Sequence, residues 1–214
     1  MVTPAEFIRA NTALIAPPLV PEIRLHLATE VVPLWRKTEE ELKAEGVPPP
    51  YWAFAWAGGQ ALSRYILDKP DVVASRKVLD FGSGSGLVAI AAAKSGASDV
   101  LAADIDPFAA AAISLNARAN GVRIEISSED LIGSGGEWQT ILVGDMCYER
   151  PLAERLLRWL QDRAATGAMV LLGDPGRSYF PKGGVAKLAT YHVKTTRELE
   201  DREIRETSVY KLTP

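Results

Sequence analysis

Cysteine is almost absent. Cys147 is the one cysteine in 214 residues, so no internal disulfide can form, and with only two histidines it cannot complete a conventional zinc site. A reducing compartment suits such a chain. An excess of one charge is also missing: 24 Lys plus Arg stand against 27 Asp plus Glu, a formal net charge of −3. That balance speaks against a protein whose affinity comes from neutralising phosphates. Long apolar runs are lacking too. The longest, around Gly86 to Ala93 and Phe108 to Leu115, reach about eight residues, less than half of the ~20 needed to span a bilayer. From Met1 to Arg9 no basic stretch precedes an apolar run, and Glu6 is an early acid. Neither a secretory nor a transit signal is expected there, and the expected location is the cytoplasm. The length suits one globular domain with a short extension.

Proline is plentiful but uneven. Eight of the fourteen prolines fall at positions 4, 17, 18, 21, 33, 48, 49 and 50. Between them, Pro21 to Leu27 and Pro33 to Glu45 read as short helices, so residues 1–50 are expected to form a helical arm ended by Pro48-Pro49-Pro50. Residues 51–214 form the second expected unit. From Lys77 onward, short apolar strands alternate with Ala- and Leu-rich helices, the pattern of a parallel sheet covered on both faces. Strands are expected over Lys77 to Phe81, Asp99 to Ile105, Arg123 to Ser127, Thr140 to Gly144 and Met169 to Gly173. Helices are expected over Gly58 to Leu67, Leu87 to Ser95, Pro107 to Asn120 and Pro151 to Ala164. Leu188 to Thr196 and Ser208 to Leu212 read as two strands of a hairpin that closes the sheet.

The richest stretch is Val78-Leu79-Asp80-Phe81-Gly82-Ser83-Gly84-Ser85-Gly86-Leu87, a strand running into a glycine loop that opens a helix. Glycines there let backbone approach a ligand closely, and the helix start adds a positive dipole end. A dinucleotide fingerprint needs G-x-G-x-x-G, and position 87 is Leu, so the third glycine, Gly86, comes one residue early. Asp80, just before the loop, would repel a pyrophosphate and suits an amino group. Asp104, 24 residues on, sits where a carboxylate can accept both ribose hydroxyls. Asp130, after the third strand, is placed for an adenine amino group, although a solvated acid beside Glu129 explains it as well. Together these acids and Gly82, Gly84 and Gly86 describe a nucleoside carrying an amino acid. The arrangement resembles the class I methyltransferases, whose ligand is S-adenosylmethionine, and the closing hairpin matches their antiparallel last strand. The fold class expected is therefore α/β, a doubly wound, Rossmann-like sheet of seven strands with that antiparallel strand and an N-terminal helical arm.

A methyl acceptor would sit beyond the fourth strand, because ligands bind at the carboxyl ends of parallel strands. There the chain reads Gly144-Asp145-Met146-Cys147-Tyr148. A carboxylate at Asp145 would stabilise the charge that develops on an amine being methylated, and the Tyr148 ring could hold a cation against its face. Because a carboxylate also favours the ammonium form, whose ordinary pKa is about 10.4, Asp145 is assigned orientation and charge stabilisation, and deprotonation is left to water. The plainer reading of Asp145 is a strand end capping the next helix, and of Cys147 a small buried apolar residue. DNA amino-methyltransferases place two prolines between the acid and the aromatic, where this chain has Met146 and Cys147.

The segments Pro50-Tyr51-Trp52-Ala53-Phe54-Ala55-Trp56-Ala57-Gly58-Gly59-Gln60-Ala61-Leu62, Asp104-Ile105-Asp106-Pro107, Gly144-Asp145-Met146-Cys147-Tyr148 and Gly173-Asp174-Pro175-Gly176-Arg177 narrow the resemblance. From about Pro21 onward the chain resembles the lysine methyltransferases that modify the beta subunit of electron-transfer flavoprotein, within a group of seven-strand protein methyltransferases with a D-x-F-Y signature. The resemblance implies that Asp145 and Tyr148 hold the signature's first and last positions, and that Trp56 lies beside the cofactor. Cys147 stands where the signature has Phe, which removes packing beneath the lysine channel. The resemblance implies action on a protein lysine, and with no transit signal expected the chain reads as a bacterial relative; composition leaves nucleic acid, membrane and metal unexpected, and a monomer is expected. The alternatives are a methyltransferase for a ribosomal protein lysine or a small amine, and an S-adenosylmethionine-binding interaction module without turnover. Asp174 to Arg177 reads either as a turn in which the two side chains pair or as part of the substrate groove.

Overall fold

A computed structural model describes residues 3–28, 49–195 and 203–213. The chain begins with a short helix, α1 (Pro4–Asn11), opened by a capping box in which Thr3 and Glu6 satisfy each other's backbone N–H groups. Two strands, β1 (Ala13–Ile15) and β2 (Leu25–Leu27), then pair antiparallel. The helix expected over Pro21 to Leu27 is not formed. A turn at residues 21 and 22 leads instead into β2, whose Leu25 and Leu27 are buried while His26 is half-buried. The reason is tertiary: the His26 N–H donates to Asn116 Oδ1 at 2.7 Å, and Asn120 both accepts from the Arg24 N–H and donates to its carbonyl. A distant helix thus supplies polar partners that extended backbone can use and helical backbone cannot. The helix expected over Pro33 to Glu45 lies outside the described residues.

The remaining elements follow the expected alternation closely. They are α2 (Ala57–Asp68), β3 (Lys77–Phe81), α3 (Leu87–Lys94), β4 (Asp99–Ala103), α4 (Pro107–Ala119), β5 (Glu125–Ser127), β6 (Thr140–Gly144), α5 (Arg150–Ala165), β7 (Met169–Asp174), β8 (Val185–Lys194) and β9 (Ile204–Leu212). Strands β3 to β9 form one seven-stranded sheet in the order β5-β4-β3-β6-β7-β9-β8. Neighbours run parallel from β5 to β7, and β9 is antiparallel to both β7 and β8. The expected doubly wound sheet with its antiparallel last strand is present. No helix spans residues 177–184, where the chain turns directly into β8.

Two-residue periodicity divides the core between the faces of the sheet. Leu142 and Leu171 point to the side of α2 and α3, where they meet Leu62, Ile66 and Ile90. Ile141, Val143, Val170 and Leu172 point the other way, onto Leu156, Trp159 and Leu160 of α5. A third cluster joins Ile8 of α1 and Trp52 to Ala109, Ala112 and Leu115 of α4. The N-terminal segment is therefore packed on α4, and Trp52 is stacked on Phe108 with ring centroids 6.1 Å apart. Among the described residues, no helix is long and apolar enough to cross a membrane.

One close approach fixes the site's frame. A Cβ at Gly58 would overlap the Gly173 carbonyl and stand 2.5 Å from Asp145 Oδ2. Only hydrogen at that position lets the first turn of α2 lie against the ends of β6 and β7.

Candidate active site

The carboxyl ends of β3, β4, β5, β6 and β7 open into one cavity of about 690 Å³, inside the range of small-molecule and cofactor sites, ~300–1,000 Å³. Its floor is the glycine loop after β3. Gly82 and Gly84 line it, with φ of +66° and +52°, values that L side chains rarely adopt. A Cβ at Gly82 would overlap the Met146 thioether. Gly86, with φ +80°, caps α3 and sits behind the loop against Ile113.

Asp80 does not reach the cavity wall, contrary to the expectation of direct contact with a ligand amino group. It is 1% exposed, and its Oδ2 accepts from the Ser83 hydroxyl at 2.5 Å and from the Ala89 N–H at 3.0 Å. Burial pushes its carboxyl up to about 7 against these bonds. In this geometry Asp80 fastens the loop to the start of α3. Its position one strand residue before the loop could not distinguish fastening from ligand contact.

Asp104 does line the cavity at the end of β4. Its Oδ2 accepts from the Gly84 N–H at 2.8 Å and its Oδ1 from the Asp106 N–H at 3.0 Å, and burial pushes its pKa above the ordinary carboxylate range. Asp130 lies on the same wall, where it accepts from the Ile132 N–H and pairs with Arg155 at 2.9 Å. These two bonds, the backbone one first, lower its pKa. Trp56 precedes α2 and faces the cavity, its indole N–H donating to the Tyr51 carbonyl at 2.9 Å. Trp52, four residues earlier, belongs to a short 3₁₀ turn that ends before α2 begins.

The corner of the cavity at the end of β6 is built on Asp145. Its backbone lies at φ +58°, in the left-handed region, and its N–H donates to the Gly173 carbonyl at 3.0 Å. Oδ2 accepts from the Gly59 N–H at 2.9 Å, in the first turn of α2, where the helix dipole favours negative charge. Oδ1 accepts from Arg177 Nε at 3.2 Å and Nη2 at 2.7 Å. Arg177 therefore pairs with Asp145 and not with Asp174. The Asp174 carboxylate instead holds the turn, with Oδ1 accepting from the Gly176 and Arg177 N–H groups at 2.7 Å each. The Arg177 guanidinium also stands 5.6 Å from the Trp56 ring. Tyr148, 43% exposed, lines the mouth with its ring 5.8 Å from that of Tyr51. Cys147 is buried, and burial, with the charges of Asp174 and Asp145, pushes its thiol up to about 12, so it is no nucleophile.

The cavity's chemistry fits a cationic nucleoside better than a phosphate. Among the described residues, Asp104, Asp106, Glu129, Asp130 and Asp145 line it, while the two arginines there, Arg155 and Arg177, are each bonded to one of those acids. Among the described residues, no group of His, Cys, Asp and Glu is placed to hold a metal ion.

The chain has relatives of known name over most of its length. The Xenopus laevis electron transfer flavoprotein beta subunit lysine methyltransferase is 42% identical, over 99% of this chain and 87% of its own length. This chain belongs to that family. The Danio rerio member of these lysine methyltransferases is 47% identical over 81% of this chain and 68% of its own. The ribosomal protein L11 methyltransferase (PrmA) family model matches residues 60–143, which carry the glycine loop and Asp104 but end before Asp145. The fold is also that of the magnesium protoporphyrin IX methyltransferase from Synechocystis PCC 6803 with bound SAM. That structure matches with a TM-score of 0.53 at 17% identity, over 72% of this chain and 78% of the other.

Within this lysine methyltransferase site, the described structure brings Trp56, Gly82, Gly84, Asp104, Asp130, Asp145 and Tyr148 to one cavity and leaves Asp80 and Gly86 behind the loop. Sequence reasoning did not assign Arg177 to Asp145, nor Gly59 as its second donor. The signal for Arg177 was its place after Asp174-Pro175-Gly176 at the end of the neighbouring strand, a turn that aims the following residue across the sheet edge.

Proposed function

We propose that this chain transfers methyl groups from S-adenosylmethionine to lysine side chains of a protein, and that the protein is the beta subunit of electron transfer flavoprotein. One observation carries the reading. The Asp145 corner, with an aromatic mouth at Tyr51 and Tyr148, opens into the same cavity as Gly82, Gly84 and Asp104. Acceptor and donor would therefore share one space.

Gly82 and Gly84 would let the cofactor's amino-acid portion lie on backbone, Asp104 would accept from its ribose, and Asp130 and Trp56 would close the sides. Bound there, S-adenosylmethionine supplies an electrophilic methyl group on a sulfonium. The chain's own residues do the rest. Asp145, fixed from both oxygens, orients the amine. Tyr148 holds its alkyl-ammonium character against an aromatic face, and the narrow corner aligns the nitrogen, an effect of proximity. The acidic lining favours a lysine-bearing protein over a nucleic acid, whose phosphates it would repel.

Incubating the purified protein with radiolabelled S-adenosylmethionine and the beta subunit tests this, with ribosomal protein L11 and a simple alkylamine as competing acceptors. Label on lysines of the beta subunit supports the reading. Label on L11 or the amine alone sinks the substrate assignment, and cofactor binding without transfer to any acceptor sinks the enzyme.

A further inference from the structure

Among the described residues lining the cavity, none comes from residues 3–28, yet two buried side-chain amides tie that segment to it. Gln60, 2% exposed in the first turn of α2, accepts from the Leu19 N–H at 3.3 Å and donates to the Ala55 carbonyl at 2.6 Å. Asn116 of α4, 0% exposed, accepts from the His26 N–H at 2.7 Å and donates to the Ser85 carbonyl at 2.8 Å. Each amide thus stands in series between a backbone N–H of the N-terminal segment and a backbone carbonyl of a loop at the cavity. Ala55 precedes Trp56 on the cavity wall, and Ser85 belongs to the glycine loop. Only one orientation of each amide meets both partners, since the N–H needs its oxygen and the carbonyl its nitrogen.

A backbone bond adds a third tie. The Ala28 N–H donates at 2.9 Å to the carbonyl of Ala53, in the 3₁₀ turn Tyr51–Ala53. That turn lies against the glycine loop: a Cβ at Gly84 would stand 3.9 Å from Trp52 Cα and 4.0 Å from the Tyr51 carbonyl oxygen. Gly82 and Gly84 on one loop, and Tyr51, Trp52 and Trp56 on the other, line the same cavity. A buried amide is favourable only when its polar ends are bonded, and hydrogen bonds in series strengthen one another. Lifting the segment therefore loosens both loops, and fixing the loops holds the segment down.

We propose that Gln60 and Asn116 are positioning residues for the cofactor, through which docking of residues 13–28 and occupation of the cavity form one coupled equilibrium. The segment thus serves cofactor retention and not acceptor recognition. This rests on the placement of S-adenosylmethionine over Gly82 and Gly84 given above, and it is independent of which protein supplies the lysine. The coupling is reciprocal: the factor by which a docked segment tightens cofactor binding is the factor by which the cofactor favours docking.

Hydrogen exchange of the wild type with and without S-adenosylhomocysteine, at about 100 times its Kd, tests the proposal. If the undocked chain does not bind, exchange slows by up to about 100-fold. The Leu19, His26 and Ala28 amides should slow by about 10-fold or more, within the range typical of coupled sites. The comparison is the β8–β9 hairpin at the far edge of the sheet, whose slowing reports whole-chain unfolding alone. Gln60→Met and Asn116→Ala should each cut the factor below about 5-fold, the lower end of that range. Both should raise the calorimetric Kd for S-adenosylhomocysteine and the KM for S-adenosylmethionine, leaving the KM for the beta subunit unchanged. Asn120, whose side chain bonds Arg24 and the Asn116 carbonyl, provides the structural contrast: Asn120→Ala should quicken exchange while the slowing by S-adenosylhomocysteine persists.

A wild type that binds S-adenosylhomocysteine without slowing these amides beyond the hairpin overturns the coupling, a result that needs no variant to fold. Full slowing in both variants overturns the assignment to Gln60 and Asn116. Unchanged cofactor affinity with a raised KM for the beta subunit overturns it as well, and makes the segment an element of substrate recognition. A wild type that binds no S-adenosylhomocysteine overturns the cofactor placement and this inference together. One that binds it but methylates no acceptor sinks the proposed function and leaves exchange to decide the coupling.

Discussion

Gly58 and Gly59 are adjacent, and alanine at each should have opposite effects. At Gly58 a Cβ would overlap the Gly173 carbonyl oxygen, approach the Gly173 carbonyl carbon to 2.7 Å and reach 2.5 Å from Asp145 Oδ2. Ordinary contact for a methyl begins near 3.4 Å, so α2 must move by roughly 1 Å from β7, or Asp145 must swing away. Overpacking of this kind costs up to about 3 kcal/mol, and alanine's better helix propensity returns about 1 kcal/mol. The net loss is about 2 kcal/mol, a fall in Tm of about 4–8 °C for a chain of this size. Because the displaced group orients the acceptor, kcat/KM should fall about 100-fold as well. At Gly59, among the described residues, the Cβ would meet only Val88 Cγ2, at 3.8 Å, and the N–H bonded to Asp145 is retained. Gly59→Ala should therefore keep activity and gain up to about 1 kcal/mol. Thermal unfolding and steady-state methylation of the two variants decide the matter. A stable, active Gly58→Ala, or a Gly59→Ala as damaged as its neighbour, would refute the account of how α2 seats the acceptor corner.

Three further outcomes are expected. Asp145→Ala should abolish methyl transfer while leaving S-adenosylhomocysteine affinity, measured by calorimetry, within a few-fold; surviving transfer would mean that the acceptor corner lies elsewhere. Asp80 binds its proton more tightly in the folded chain, with its pKa raised from 3.8 to about 7. Its favourable contribution is therefore present at low pH and is lost as pH rises through that window. Urea unfolding at about pH 5 and about pH 8 should show Asp80→Asn gaining on the wild type across the interval, and parallel stabilities at both pH values would contradict the burial argument. Asn116→Ala removes the bonds to the His26 N–H and the Ser85 carbonyl, so it should cost about 1–3 kcal/mol. It should also weaken cofactor binding, since Ser85 is part of the glycine loop, and an unchanged calorimetric affinity would show that the bond from Asn116 to Ser85 does not support the loop.

The alternating strands and helices were legible because each is set by local pattern. β3 and β6 are centred on the apolar pair Val78-Leu79 and the apolar triplet Ile141-Leu142-Val143, and Asp106 and Pro107 mark the start of α4, with Asp106 Oδ1 accepting from the Phe108 N–H. β2 was not legible. Pro21 followed by charged and apolar residues reads as a helix start, and the partners that draw the segment into a strand, Asn116 and Asn120, lie some 90 residues away. The same limit governs the site. Glycines, acids and aromatics could be assigned from their places at strand ends, because the topology carries all such ends to one edge. Which donor meets which acid could not. Asp80 and Asp104 share a side-chain type and a strand-end position, yet one fastens the loop from behind and the other faces the cavity. The Asp145–Arg177 pair joins residues 32 apart on neighbouring strands, and its geometry depends on a left-handed residue at Asp145 that no local pattern announces.

The central claim is that lysines of the electron transfer flavoprotein beta subunit are the acceptors. Mass spectrometry of the native beta subunit, isolated from cells with and without this protein, tests it most directly. The account predicts lysine residues carrying methyl-sized mass increments only when the protein is present, and restored by the wild type but not by Asp145→Ala. A beta subunit with the same mass in both cells would contradict it.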